Sequence, residues 1–135
     1  MGLTKIYLDS CIVIYFVEKH LLFSSKVGTE LNALTSSQIY YSPLVKMECL
    51  VKPFQLKDLH TQQLYEQFWL PQQLLNLPTE IFELAAQLRA DHKSLKTPDA
   101  IHLAAALHYG CDEFWTNDDR LGKVAPSIAR NILTA

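Results

Sequence analysis

Lys5-Ile6-Tyr7-Leu8-Asp9-Ser10, running on into Cys11-Ile12-Val13-Ile14-Tyr15-Phe16, is the stretch whose reading decides the fold. Ile6, Tyr7 and Leu8 form a short apolar run of β-branched, aromatic and aliphatic side chains, the composition of a strand covered on both faces of a parallel sheet. The run stops at an acid. Asp9 or Ser10 stands where a helix N-cap belongs, and Ile12, Val13, Phe16 and Val17 then recur as in a helix that docks back on the sheet. A strand entering a helix through almost no loop is the first half of a βαβ unit. It holds Asp9 at the carboxyl end of a strand, the edge of an open α/β sheet where ligands bind.

Outward from this stretch, strands and helices alternate. The series Val27, Leu31, Leu34 predicts a second helix over 22–35, broken by Thr35-Ser36-Ser37. Gln38-Ile39-Tyr40-Tyr41-Ser42 is the next strand, and Ser42-Pro43 reads as an N-cap followed by proline at the first helical position. That helix carries Leu44, Val45, Met47, Glu48 and Leu50-Val51 and is expected to close at Lys52-Pro53; another, with a polar face, spans Leu56 to Phe68. Leu74 to Leu77 is a weaker strand, followed by a helix with Ile81, Leu84, Ala85 and Leu88. Thr97-Pro98-Asp99, a cap-proline-acid start, opens a helix so poor in polar residues that it belongs in the interior, and Gly110 is placed to end it as a C′ glycine. Cys111 to Thr116 reads as a buried strand leading into Asn117-Asp118-Asp119, and Ile128 to Leu133 as an edge strand. This alternation, with right-handed crossovers, predicts an α/β, three-layer αβα sandwich around a mainly parallel sheet of four to five strands.

The 135 residues are one domain's worth, expected over 1–135, and a 49% hydrophobic, 19% charged composition suits a compact core rather than disorder. No apolar run approaches the ~18 residues of a membrane span. Met1-Gly2-Leu3-Thr4-Lys5 leads straight into the first strand without the pattern of a signal peptide, which predicts a cytoplasmic protein. Cys11, Cys49 and Cys111 lack zinc or disulfide spacing and read as free thiols. A net charge of −2 gives no global basic footprint for nucleic acid. An acidic site loaded with a cation nevertheless suits phosphate.

Asp9 and Asp118 follow strands, Glu48 lies about two turns into the helix after the second strand, and Asp99 opens the buried helix. A right-handed parallel sheet brings strand exits and helix starts to one edge, so these carboxylates are expected to meet in one crevice. Singly, each has a plainer reading as a cap, a helix-dipole partner, a turn residue or a solvated acid. Together they make a hard oxygen site for Mg²⁺ or Mn²⁺.

The motifs Tyr-Leu-Asp-Ser-Cys (7–11), Ser-Pro-Leu-Val-Lys-Met-Glu-Cys (42–49), Lys-Thr-Pro-Asp-Ala-Ile-His-Leu-Ala-Ala-Ala (96–106) and Trp-Thr-Asn-Asp-Asp-Arg-Leu (115–121) resemble the PIN-domain family, and more narrowly the VapC-type toxins of toxin–antitoxin modules. The resemblance spans nearly the whole chain. It implies metal-binding, catalytic acids at Asp9, Glu48, Asp99 and Asp118, with Asp119 a close neighbour of the fourth, and accessory polar residues at Ser10, Thr116 and Asn117. It further implies an endoribonuclease dependent on Mg²⁺ or Mn²⁺, in which a coordinated water attacks phosphorus in line. A small antitoxin protein, bound at a groove walled by the helix near 55–70, and a homodimer are implied as well. Lys46 and Arg120 are the candidate RNA contacts, with Lys52, Lys93 and Lys96 also near the site in sequence; the plainer reading of each is a solvated charge. His102 reads as a core or rim histidine rather than a base.

Other classes fit less well. A phosphoacceptor receiver needs an acid pair after the first strand and a lysine after the fifth; a haloacid-dehalogenase-like phosphatase needs Asp-x-Asp where Ser10 and Cys11 follow Asp9. A non-catalytic binding domain of the same fold is the remaining alternative.

Overall fold

The computed structural model describes residues 3–134; Met1, Gly2 and Ala135, the ends of the expected 1–135 domain and part of the leader reading, lie outside the described residues. Ile6–Leu8 form β1, with all three side chains buried, as a continuous apolar run on a two-sided sheet requires. The chain turns at Asp9 into α1 (Ser10–Val17), whose Ile12, Val13 and Val17 are buried. Full burial of an aliphatic side chain stabilises by roughly 1.5–3 kcal/mol, enough for this short helix to be held by its packing.

The elements that follow are α2 (Ser24–Asn32), a single 3-10 turn at Ser36–Gln38, β2 (Ile39–Tyr41), α3 (Pro43–Gln55), α4 (Leu59–Trp69), β3 (Gln73–Leu74), α5 (Thr79–Asp91), α6 (Thr97–His108), β4 (Glu113–Thr116), α7 (Asp119–Val124) and β5 (Ala129–Asn131). The five strands form one sheet in the order β3-β2-β1-β4-β5, and every pairing is parallel. The first two crossovers run one way along the sheet and the last two the other. With right-handed connections, α1 to α4 therefore cover one face and α5 to α7 the opposite one. The αβα sandwich expected from the sequence is the structure found.

Several boundaries differ from the sequence reading. Leu21 and Leu22 are exposed, so the second helix starts only at Ser24 and stops at Asn32. The helix after β2 does not close at Lys52-Pro53. Pro53 is buried in its last turns and the helix continues to Gln55, the missing N–H at position 53 being a local loss that the remaining bonds tolerate. Closure comes from Lys57, at a left-handed φ of 52°, and α4 then begins at Leu59 because the Asp58 carboxylate caps it by accepting from the Thr61 N–H at 3.0 Å. The weak strand is only Gln73–Leu74, the final one only Ala129–Asn131, and between β4 and β5 stands α7, a helix that the sequence reading did not include. Lys96, not Thr97, is the N-cap residue of α6. Cys11, Cys49 and Cys111 are all free thiols, Cys49 and Cys111 buried.

Candidate active site

The sheet order reverses at β1 and β4. β1 sends its chain towards β2 on one side, and β4 sends its chain towards β5 on the other, leaving a crevice outside their carboxyl ends. Register places Leu8 beside Trp115, and the Asp9 N–H donates to the Trp115 carbonyl at 2.9 Å. The next side chains therefore meet: Thr116 Oγ1 donates to Asp9 Oδ2 at 2.8 Å, while the Ser10 N–H donates to Asp9 Oδ1 at 2.7 Å. Asp9 is only 8% exposed, so these bonds hold a nearly buried carboxylate in one rotamer. Ser10 contributes through its backbone amide.

Glu48, in the second turn of α3, reaches the same place. Its Oε1 lies 2.6 Å from His102 Nε2, which is 4.0 Å from Asp9 Oδ1, and donor atoms of Asp9, Glu48 and His102 all lie within 4.8 Å of one another. His102 sits three residues after Asp99, on the same side of α6. Burial raises the Asp99 carboxyl above its usual range, the negative charges of Asp9, Asp118 and Glu48 add to the rise, and His102 opposes it. Asp99 thus feels all three of the other predicted acids. Asp99 and Asp118 also line a common small cleft.

Asp118 caps α7, its Oδ1 accepting from the Arg120 N–H at 2.9 Å, and the Arg120 guanidinium pairs with both carboxylate oxygens, the nearest contact being 2.6 Å. These contacts hold its carboxyl below the ordinary range. Its neighbour Asp119 is turned towards β5, where its Oδ1 accepts from Asn131 Nδ2 at 3.1 Å. Asn117 is exposed, and its amide donates to the Tyr15 hydroxyl at 2.8 Å. Lys46 reaches α4, with Nζ 3.6 Å from Glu66. Arg120 thus stands at the site and Lys46 beside its neighbouring helix.

Sequence reasoning missed one part of this arrangement. The Tyr7 hydroxyl is 2.8 Å from Ser42 Oγ and 2.7 Å from His102 Nδ1, all three residues being buried, so a polar chain runs from β1 and the start of α3 to Glu48. Ser42 occupies the expected cap position, yet its hydroxyl serves Tyr7 instead of the helix amides. The available signal was His102 one turn after Asp99 in a helix otherwise filled with alanine and leucine.

A family model for the PIN domain matches residues 6–126. The chain belongs to the PIN-domain family. Curated proteins give no match to the sequence. Among solved structures, this PIN domain is similar to a toxin–antitoxin complex from Klebsiella pneumoniae, with a TM-score of 0.78 and 24% identity over 95% of this chain and 98% of that one. It is likewise similar to VapBC2 from Rickettsia felis bound to a promoter DNA fragment, with a TM-score of 0.81 and 16% identity over 95% and 98%. A third is VapC20 from Mycobacterium tuberculosis, a toxin described as cleaving the sarcin–ricin loop, with a TM-score of 0.75 and 10% identity over 90% and 95%. At these identities the shared feature is the fold.

Proposed function

We propose that this PIN domain, a single domain over 1–135, is a metal-dependent endoribonuclease acting as the toxin of a type II toxin–antitoxin pair. The observation that carries the reading is geometric: Asp9 and Glu48 meet at the β1/β4 switch point, with ligand atoms within 4.8 Å of each other, and Asp99 and Asp118 line a common cleft. Carboxylates gathered this closely suit a hard divalent cation, Mg²⁺ or Mn²⁺, and their oxygen donors fit its chemistry. Asp9, Glu48, Asp99 and Asp118 would hold it. A divalent ion bound there supplies Lewis-acid polarisation of a phosphodiester and a water acidic enough to attack phosphorus.

The protein's own residues do the positioning. Thr116 and the Ser10 amide keep Asp9 aimed into the crevice, and Asp118 keeps Arg120 at its edge, where the guanidinium would meet the RNA backbone. Lys46, tied to Glu66, is the weaker substrate contact. Asn117 orients the loop through Tyr15.

Two further features support a toxin. The solved relatives of this fold include toxins in complex with antitoxins. An apolar groove of about 520 Å³ lined by Phe16, Val17, Leu64 and Phe68 lies between α1 and α4, a shape suited to the apolar face of a small antitoxin. A homodimer and a cytoplasmic location complete the proposal; among the described residues no helix is long and apolar enough to cross a membrane.

The deciding experiment maps cleavage of total cellular RNA by the purified protein with Mg²⁺, with Mn²⁺ and with a chelator. Cleavage that needs a cation and disappears in Asp9→Asn is expected. Cleavage that persists in the chelator overturns the metal-dependent reading, and no cleavage by a protein that still binds the cation favours the non-catalytic alternative.

A further inference from the structure

We propose that His102 is a positioning residue for Glu48: its Nε2–H holds the Glu48 carboxylate towards Asp9, while Tyr7 and Ser42 lock the ring in the orientation that makes this possible. The proposal deepens the metal-nuclease reading and rests on it.

A neutral ring between an ionised Glu48 and the Tyr7 hydroxyl has one consistent set of hydrogen-bond directions. A carboxylate oxygen and an imidazole nitrogen 2.6 Å apart must share a proton, and ionised Glu48 can only accept, so Nε2 carries the hydrogen. In neutral imidazole the other nitrogen is then an acceptor. Nδ1 faces the Tyr7 hydroxyl at 2.7 Å, and burial pushes the Tyr7 phenol well up, so it is a permanent O–H donor. Tyr7 Oη in turn accepts from Ser42 Oγ at 2.8 Å. Every donor in the series Ser42, Tyr7, His102, Glu48 finds an acceptor, and none points the wrong way.

Burial gives the chain its purpose. His102 is 1% exposed and Tyr7 and Ser42 are fully buried, whereas the Glu48 side chain is 25% exposed on a flexible stem. A rigid interior network thus grips a partly exposed acid. The Tyr7 ring is itself fixed by stacking on Phe114 of β4 at 5.5 Å, which ties the grip to the strand whose end carries Thr116. With its hydrogen directed at Glu48, Nε2 offers no lone pair to a cation, and in this arrangement the ring serves Glu48. Partners of this kind, one step behind a metal ligand, typically alter affinity or activity by roughly 10- to 100-fold.

The test uses the whole chain with Mn²⁺ as probe, and the variants His102→Gln, His102→Leu and Tyr7→Phe. Circular dichroism and thermal melting establish which variants fold. His102→Leu is expected to weaken Mn²⁺ binding by roughly 10- to 100-fold. His102→Gln, whose amide can still donate to Glu48, restores most of it, and Tyr7→Phe falls between. Long-range ¹H–¹⁵N correlation of the metal-free protein is expected to show Nε2 protonated, a readout that survives even where His102→Leu does not fold. Any of three results overturns the proposal: Nδ1 protonated with Nε2 bare, Tyr7→Phe and His102→Gln both indistinguishable from wild type while His102→Leu binds equally well, or direct imidazole-nitrogen coupling to bound Mn²⁺ in pulsed EPR. Wild-type protein that binds no Mn²⁺ overturns the metal reading as well, and so separates the two failures.

Discussion

Asp9 does two jobs with one carboxylate, and the difference between them can be measured. As a cap it accepts the Ser10 N–H, and as the centre of the site it is fixed by Thr116. Asn caps helices as well as Asp does, and Thr116 Oγ can accept from an amide as readily as donate to a carboxylate. Asp9→Asn is therefore expected to keep the melting temperature close to wild type while cleavage falls by roughly 100-fold or more, the scale set by removing one charge-bearing group from a preorganised site. Unfolding of the variant, or activity within a few fold of wild type, refutes the assignment. Arg120→Ala separates the roles at the site's rim. Without the guanidinium, the Asp118 carboxyl should titrate closer to its ordinary range, visible by NMR, and KM for RNA should rise with little change in kcat. At this scale Asp9 and Asp99 were legible because each terminates or opens an apolar run, so its carboxylate has no packing role to explain it. His102 was legible only as buried. Its contact with Glu48 spans 54 positions and that with Tyr7 spans 95, distances fixed by the packing of α3, α6 and β1 and invisible to any local pattern.

The ends of elements show where local sequence signals succeed and fail. α1, α3 and α6 all close with paired reversed bonds of the same type: His20 N–H to Tyr15 O with Lys19 N–H to Phe16 O, Asp58 to Pro53 with Lys57 to Phe54, and Cys111 to Ala106 with Gly110 to Leu107. Each requires a residue at positive φ, and the residues there are Lys19 at 54°, Lys57 at 52° and Gly110 at 67°. Only the glycine announces its stop in the sequence, which is why the end of α6 was placed correctly and α3 was ended too early at Pro53. The left-handed conformation costs an L-residue roughly 1–2 kcal/mol, and a Cβ at Gly110 would meet nothing within 4 Å, so backbone strain alone governs the outcome. Gly110→Ala is expected to lower stability by about 1 kcal/mol in denaturant titration, and Lys57→Gly to raise it by up to about 1 kcal/mol. An unchanged stability in Gly110→Ala, or a lowered one in Lys57→Gly, would mean that these turns are not strained as their φ values imply.

Across the whole molecule, the sheet order converts separate segments into one electrostatic object. The strand order was not legible in the sequence, since short, largely buried strands such as Ile6–Leu8 and Glu113–Thr116 carry no register signal on two covered faces; the convergence of acids followed from handedness alone. Convergence has a price in stability that is written in Asp99. Its carboxyl is raised, first by burial and then by Asp9, Asp118 and Glu48, so the folded protein holds that proton more tightly than the unfolded chain. Linkage gives the sign: stability from this group is fully present below the carboxyl's ordinary pKa and is lost as pH rises through the raised value. At neutral pH, in chelator, ionised Asp99 works against the fold. Asp99→Asn, which removes the charge and keeps the shape, is expected to melt at a higher temperature than wild type under those conditions. The advantage should shrink as pH falls and the native Asp99 takes up its proton. Adding Mn²⁺ should reverse the order, because a cation that binds the native state stabilises wild type through mass action and has lost a ligand in the variant. Differential scanning calorimetry of both proteins across pH, with and without the ion, reads all three signs. A variant that melts lower in chelator, or gains as much from Mn²⁺ as wild type, would show that the acids do not act on one another as a single site.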